Sequence, residues 1–366
     1  MKFKPNWQAV TAFVLAAISA VTVPFTALGT AGPSLATSAL IGIAAAFSMQ
    51  PRLSGIVVAV IGILTHLAVL LLLSMLKGAE GTATFGYFAA LAGAWLMGWW
   101  LVTCLSGVRF KHSRIVSIAI PALFGVWILI LWESIARGAG IPFVLLPPPS
   151  AVGWRFLASI PILTADLYQT VLKAVLFGFA AGSFAGFLVA VLADRYKFLA
   201  NGLLPIGNMV SALPIIGIAP IMVIWFGFDW QSKAAVVIVM TFFPMLVNTL
   251  AGLKAAGHSE KDLMRTYASS HWQSLFKLRL PAAMPFVFNA LKINSTLAMI
   301  GAIVSEFFGT PVVGMGFRIS TEVGRMNLDM VWAEIALAAI VGSLFYGALA
   351  LLERTITFWH PSYRRG

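Results

Sequence analysis

Runs of about twenty apolar residues recur along nearly the whole chain, and they constrain the fold more than any other feature. A helix crosses roughly 30 Å of hydrocarbon with about 20 residues. Candidate spans fall at 8–29, 34–49, 53–76, 84–107, 115–138, 167–193, 203–226, 234–253, 284–308 and 333–356. Mean hydropathy is +0.94 and charged residues make up only 10% of the chain, against about 25% in a soluble domain. We therefore expect an all-α polytopic membrane protein with about ten transmembrane helices.

The net charge of +12 invites a nucleic-acid reading, but the basic residues are spread over short loops rather than gathered into a patch. Enrichment of Lys and Arg on the cytoplasmic side explains them better. With Lys2 and Lys4 inside and one crossing per span, the inner segments hold Arg52; Arg109, Lys111 and Arg114; Arg195 and Lys197; and Lys254, Lys261, Arg265, Lys277 and Arg279. Arg354, Arg364 and Arg365 then lie at the inner C-terminus. The outer loops keep Lys77, Arg137, Arg155, Lys233, Arg318 and Arg325. Both termini come out cytoplasmic. The apolar run that follows Met1–Pro5 continues to about Gly29 without a small-residue cleavage site, so it reads as an uncleaved first helix. Cys104 stands alone, which excludes an intrachain disulfide or a cysteine metal cluster.

The chain divides near residue 110, where the basic stretch Arg109–Arg114 acts as linker. Residues 1–110 supply about four spans rich in Ala, Gly, Ser and Leu; residues 111–366 supply six, with longer loops and more prolines. No internal repeat joins the halves, whereas many secondary transporters are built from repeats.

Several motifs punctuate the second part. Leu146-Pro147-Pro148-Pro149-Ser150 precedes a helix that we expect to begin at Ala151 with Ser150 as its cap. Pro205, Pro214 and Pro220 interrupt the seventh span. Broken backbone at membrane depth needs protein or a water-filled cavity around it, so this segment is a candidate lining of a translocation path. Ionisable residues in the spans are few: Glu133, Lys173, Lys292, Glu306 and Glu334. Such residues are costly in lipid and face a cavity or a partner, or snorkel when they lie near span ends. Pro214, Pro220, Asn248 and Glu306 are the path candidates, although asparagines such as Asn248, Asn289 and Asn294 serve equally well as bonds between helices.

The most polar stretch is a basic island over 255–283. Its pattern predicts a short amphipathic helix that ends at Pro281. Leu263, Met264, Tyr267 and Ala268 share one face, and Lys261, Asp262, Arg265, Thr266 and Ser269 the other. Asp262 suits the positive end of the helix dipole.

These residues resemble the cytoplasmic loop of permease subunits of bacterial ATP-binding-cassette importers: Glu-Ala-Ala, three residues, Gly, nine residues, Ile-x-Leu-Pro. Asp262-Leu263-Met264 stand at the first three positions, Ala268 at the glycine and Leu278 at the isoleucine, while Leu280 and Pro281 match outright. The chain is similar to the sulfonate, taurine, nitrate and pyrimidine-precursor group in its Leu-Pro-Pro-Pro-Ser-Ala-Val loop, Ile218-Ala219-Pro220, Trp225-Phe226-Gly227, Phe242-Phe243-Pro244 with Asn248-Thr249, and Glu306 followed by Gly309.

The resemblance, over roughly residues 115–360, implies a six-helix type I importer core preceded by four extra helices. It implies a permease that moves a small polar solute across the inner membrane, working with a second permease subunit, cassette ATPases and an extracytoplasmic binding protein. ATP and magnesium would belong to the ATPase, in keeping with the lack of a Gly-x-x-x-x-Gly-Lys-Ser/Thr loop in this sequence; the chain itself would be no enzyme and hold no cofactor. Asp262, Leu263, Met264, Arg265, Ala268, Ser269, Leu280 and Pro281 would carry the coupling to the ATPase. Ala for the loop glycine and Asp for the glutamate are departures from that pattern. The alternative is an ion-coupled secondary transporter, which would need ionisable relays at the bilayer midplane. A membrane enzyme would need clustered His, Asp or Glu, whereas His66 is the only histidine within a span.

Overall fold

The computed structural model describes residues 7–27, 29–50, 54–107, 114–211, 214–309 and 312–359, which are helical apart from short connections and one isolated bridge between Thr26 and Ala83. They form two compact units, Met1–Gly153 and Trp154–Gly366.

The first unit contains α1 (Trp7–Val21), α2 (Ala31–Ser48), α3 (Gly55–Met75), α4 (Phe85–Leu105) and α5 (Arg114–Gly138). Helix α1 packs on α4 and α2 through small residues, with Ala9, Ala12 and Ala16 all buried. Small side chains let helix backbones approach closely where lipid gives no hydrophobic drive to association. Phe25, Ile41, Leu72 and Tyr87 fill one core; Ile61, Met97 and Trp100 belong to another. Backbone bonds tie connecting segments together: Thr84 N–H donates to Phe25 O at 2.8 Å, and Gly81 N–H to Arg137 O at 2.8 Å. Helix α5, which the sequence reading groups with the following spans, packs against α4 and α3 in this unit.

Helix α6 (Pro149–Ala158) starts two residues earlier than expected. Ser150 does not cap it from outside. Its hydroxyl donates to Glu133 Oε1 and accepts from Arg137 Nη2, both at 2.7 Å, while its N–H reaches Glu133 Oε2 at 2.9 Å. Glu133 is thus held by specific partners rather than left to snorkel.

The second unit continues with α7 (Ile160–Leu167), a π-helical segment (Tyr168–Val175) and α8 (Leu176–Arg195), then α9 (Lys197–Ser211), α10 (Ile215–Phe226) and α11 (Trp230–Lys254). After α12 (His258–Thr266) come α13 (His271–Ser274), a second π-helical segment (Leu275–Arg279), α14 (Leu280–Glu306), α15 (Met315–Gly324) and α16 (Leu328–Ile356). Helix α11 is central and packs along both α8 and α14. On α8, Gly178, Gly182 and Gly186 lie so close to α11 that an added Cβ would collide with it. Asn294 of α14 staples the three helices together, its amide donating to Ser183 Oγ at 2.9 Å and Thr241 O at 2.7 Å.

Eight helical stretches among the described residues are long and apolar enough to cross a membrane. The other two expected spans break differently. The first run gives a helix of only 15 residues, because Pro24 lies just beyond its end. The seventh gives α9 and α10, with Pro214 as N-cap of α10. Pro205 and Pro220 do not break the backbone but sit inside α9 and α10.

Candidate functional site

Helix α12 has no buried residue. Leu263 is 56% and Tyr267 78% exposed and Met264 is half-buried, so the apolar face expected from the sequence is not packed into the core of the described residues. Asp262 pairs with Arg265 at 3.3 Å on the exposed surface. Such a pair is worth little.

The helix ends in a motif that explains the importer loop's glycine. Ala268 has φ +49°, in the left-handed region. Its N–H donates to Arg265 O at 2.9 Å, and Ser269 N–H reaches back to Met264 O at 3.0 Å. These are the two bonds of a Schellman C-cap, whose left-handed residue is usually glycine. Ser269 Oγ also donates to Met264 O at 2.7 Å, which reinforces the turn around an alanine. One residue on, Ser270 caps α13 in a capping box: Gln273 N–H donates to Ser270 Oγ at 3.3 Å, and Ser270 N–H to Gln273 Oε1 at 2.8 Å.

One expectation is overturned here. The island helix does not run to Pro281 but stops at Thr266. Pro281 lies in the first turn of α14, inside a helical stretch that continues from His271 to Glu306. Proline cannot donate to the preceding turn, and the π-helical segment Leu275–Arg279 immediately before it changes the bonding register. Leu280 and Pro281, both half-buried, therefore belong to the base of the helical stretch that follows rather than to the helix that carries Asp262, Leu263, Met264 and Arg265.

Sequence reading misses what holds that base. Arg279 pairs with Asp194 at the end of α8, and its Nε donates to Leu253 O on α11 at 3.2 Å. Leu253, Leu275 and Ala283 form a buried cluster beside it. An acid at the end of one span and a base in the island are a signal, but sequence distance offers no reason to pair them.

The four path candidates do not converge. Pro214 is exposed and Pro220 half-buried on α10. Asn248 donates to Pro244 O at 2.8 Å, with the Asn289 amide 3.5 Å from its own oxygen. Glu306 is 2% exposed and serves the architecture: it accepts from Thr170 Oγ1 and from Gly316 N–H, each at 2.7 Å. Thr170 in turn accepts from Met315 N–H at 2.9 Å. Asp166 accepts from Gly314 N–H at 2.7 Å and pairs with Arg318 at 2.8 Å. The hydrogen bonds to Asp166 stabilise the Arg318 cation and raise its pKa above the usual value. Gly314 has φ +147°, and a Cβ there would come within 2.9 Å of the Glu306 carboxylate. This knot fixes α15 and the segment before it against α7 and α14.

Two more charged groups are bound internally. Lys233, 1% exposed, donates to Phe228 O at 2.7 Å and also to Gly309 O. Lys292 pairs with Glu353 of α16 at 2.7 Å. A cavity of about 590 Å³ opens between α14 and α16, lined mainly by apolar residues with Thr296, Ser343 and Tyr346. None of the four path candidates lines it. No group of three or more potential metal ligands occurs among the described residues.

Comparison with known proteins places the chain in a family. Residues 178–358 match the family described as binding-protein-dependent transport system inner membrane component. The formylaminopyrimidine transport permease of Halalkalibacterium halodurans is 31% identical over 65% of this chain and 95% of its own length. A probable ABC transporter permease of Haemophilus influenzae is 30% identical over 64% of this chain and 96% of its own. The riboflavin transport system permease of Chloroflexus aurantiacus is 27% identical over 64% and 88% respectively. The family works in transporter complexes with an ATPase and a binding protein, and its permease subunit has neither ATPase activity nor a cofactor of its own. That decides between ATP-driven import and the ion-coupled alternative. The chain belongs to the binding-protein-dependent inner-membrane components and is the multi-pass permease of an ATP-binding-cassette importer for small solutes.

Proposed function

We propose that α12 is the coupling helix, with Leu263, Met264 and Tyr267 seated in a groove of the ATPase and Arg265 and Asp262 at its rim. The single observation that carries this reading is a nine-residue helix with no buried side chain, apolar on one face and closed at its C-terminal end by a local cap. Ala268 and Ser269 set its exit angle, and Leu280 and Pro281, with Arg279, tie its base to the spans that must move. Both termini are then cytoplasmic, as the distribution of Lys and Arg suggests.

In this reading a second permease subunit completes the path, and an extracytoplasmic binding protein delivers the solute. Residues 111–366 form the importer core and residues 1–110 an additional membrane region. Asn248, with Pro214 and Pro220, stands nearest the moving solute, whereas Glu306 shapes the path indirectly through α15. The formylaminopyrimidine and riboflavin permeases among the relatives favour a small, polar heteroaromatic solute.

Replacing Met264 and Arg265 together by glutamate tests the coupling assignment. Buried anchors at interfaces are each worth about 2 kcal/mol or more, so the ATPase should no longer co-purify. The thermal midpoint of the solubilised permease should stay unchanged, because neither side chain is part of its core. Retention of the ATPase at wild-type stoichiometry would refute the assignment.

A further inference from the structure

Glu334, in the second turn of α16, is 0% exposed, and neither of its carboxylate oxygens meets a hydrogen-bond donor among the described residues. Each of the other buried acids there has a partner. Asp166 and Glu306 are bonded as described above, and Glu353 pairs with Lys292 at 2.7 Å. Glu322 accepts from Arg325 Nη1 at 3.1 Å and from Asn327 Nδ2 at 2.8 Å.

The charged groups around Glu334 come from three helices. Asp166 on α7 lies within side-chain hydrogen-bonding reach, with Arg318 on α15 and Glu306 on α14 beyond it. Glu322 of α15 adds a further negative charge near Arg318. Asp329, earlier on α16, faces Arg155 instead, at 3.7 Å. The one cation beside Glu334 is already committed: Arg318 directs Nε to Asp166 Oδ2 at 2.8 Å and Nη2 to Oδ1 at 3.4 Å. An ionised carboxylate offers about four acceptor positions. Asp166 fills three of them, with Gly314 N–H and the two Arg318 bonds, which leaves one.

We propose that a proton occupies this gap: Glu334 is the neutral acid, and its O–H donates to the Asp166 carboxylate. Two ionised carboxylates are acceptors only, so as a pair they would repel, and Glu334 would be an uncompensated charge in a dry interior. A single proton supplies the missing donor and cancels that charge. A divalent metal would need more oxygen ligands than two carboxylates give, and no group of three or more potential ligands occurs among the described residues. The shared proton bonds α16 to α7 and, through Arg318 and Gly314, to α15. Its removal sets like charges against each other where these helices meet, so the pair is a latch that alkaline conditions open. The inference does not depend on the coupling role given to α12.

The test is infrared spectroscopy of the full chain in dodecyl maltoside, a detergent without a carbonyl group. At neutral pH the wild type should show the C=O stretch of a protonated carboxylic acid, shifted in heavy water. Glu334→Gln should lose that band, and Glu322→Gln should keep it. A wild type without the band overturns the proposal, as does a band that persists in Glu334→Gln. Disappearance of the band on adding sodium also overturns it, since a metal cation would then hold the two carboxylates. Amide exchange across residues 315–324 reads the latch itself. On raising the pH, protection corrected for intrinsic exchange should fall several-fold in the wild type and stay constant in Glu334→Gln, whose amide cannot ionise. Identical pH dependence in both overturns the latch.

Discussion

The second unit contains two polar constructions that solve opposite problems. Around Glu306, a set of charged and hydroxyl groups is turned inward and bonded: Asp166 to Arg318 and Gly314, Thr170 to Glu306 and Met315. Around α12, side chains are turned outward and the only ion pair among the described residues there is a solvent-facing one. In the knot, Thr170 and Glu306 meet across 136 positions of sequence. In the segment around α12, each capping bond closes within five residues. The contrast separates polar residues that hold a membrane protein together from those that it leaves facing outward.

That contrast can be broken most decisively in the knot. Asp166→Ala leaves Arg318 and the Gly314 N–H without their acceptor; breaking a buried pair costs about 3–5 kcal/mol, and the thermal midpoint should fall sharply. A change confined to transport, with stability intact, would mean that the knot belongs to the working surface instead. Next comes the joint between the two constructions. Arg279→Met should cost about 1.5–3 kcal/mol through lost charge-assisted bonds. It should also raise ATP hydrolysis relative to solute uptake in proteoliposomes, because α12 would move without carrying α8 and α11.

Smaller effects sharpen the picture of α12. Ala268→Gly relieves a left-handed residue, which costs an L-side chain about 1–2 kcal/mol. Amide exchange across residues 263–269 should slow accordingly, whereas faster exchange would argue against the Schellman cap. Asp262→Asn removes only an exposed pair, worth about 0–1 kcal/mol. A double-mutant cycle with Arg265 in the isolated permease should give a coupling near the lower end of that range.

Much of the segment around α12 is legible in its letters alone. Capping signals are local, so Ser270 with Gln273 three residues on is readable directly, and the importer loop marks Ala268 as a position of special backbone. The end of the helix escapes such reading, because Pro281 has the look of a terminator; a proline in the first turn of a helix is as acceptable as one beyond its end. The prolines of the seventh span carry a related ambiguity. Pro205 and Pro220 are accommodated inside helices, and only Pro214 stands at a helix start.

By itself the sequence determined the class of molecule, its helical content and the place of its exposed polar helix, because hydropathy over about twenty residues and cap chemistry over four are local quantities. It also determined the family, through several short matches in the right order. Tertiary structure alone decided what the buried charges do. Glu306 became an architectural acceptor, Lys233 a clasp for two carbonyls and Arg279 the anchor of the stretch that follows α12, since a charge in a low-dielectric interior is defined by the partner it meets. Those partners lie on helices far apart in the chain, and only packing brings them within hydrogen-bonding distance.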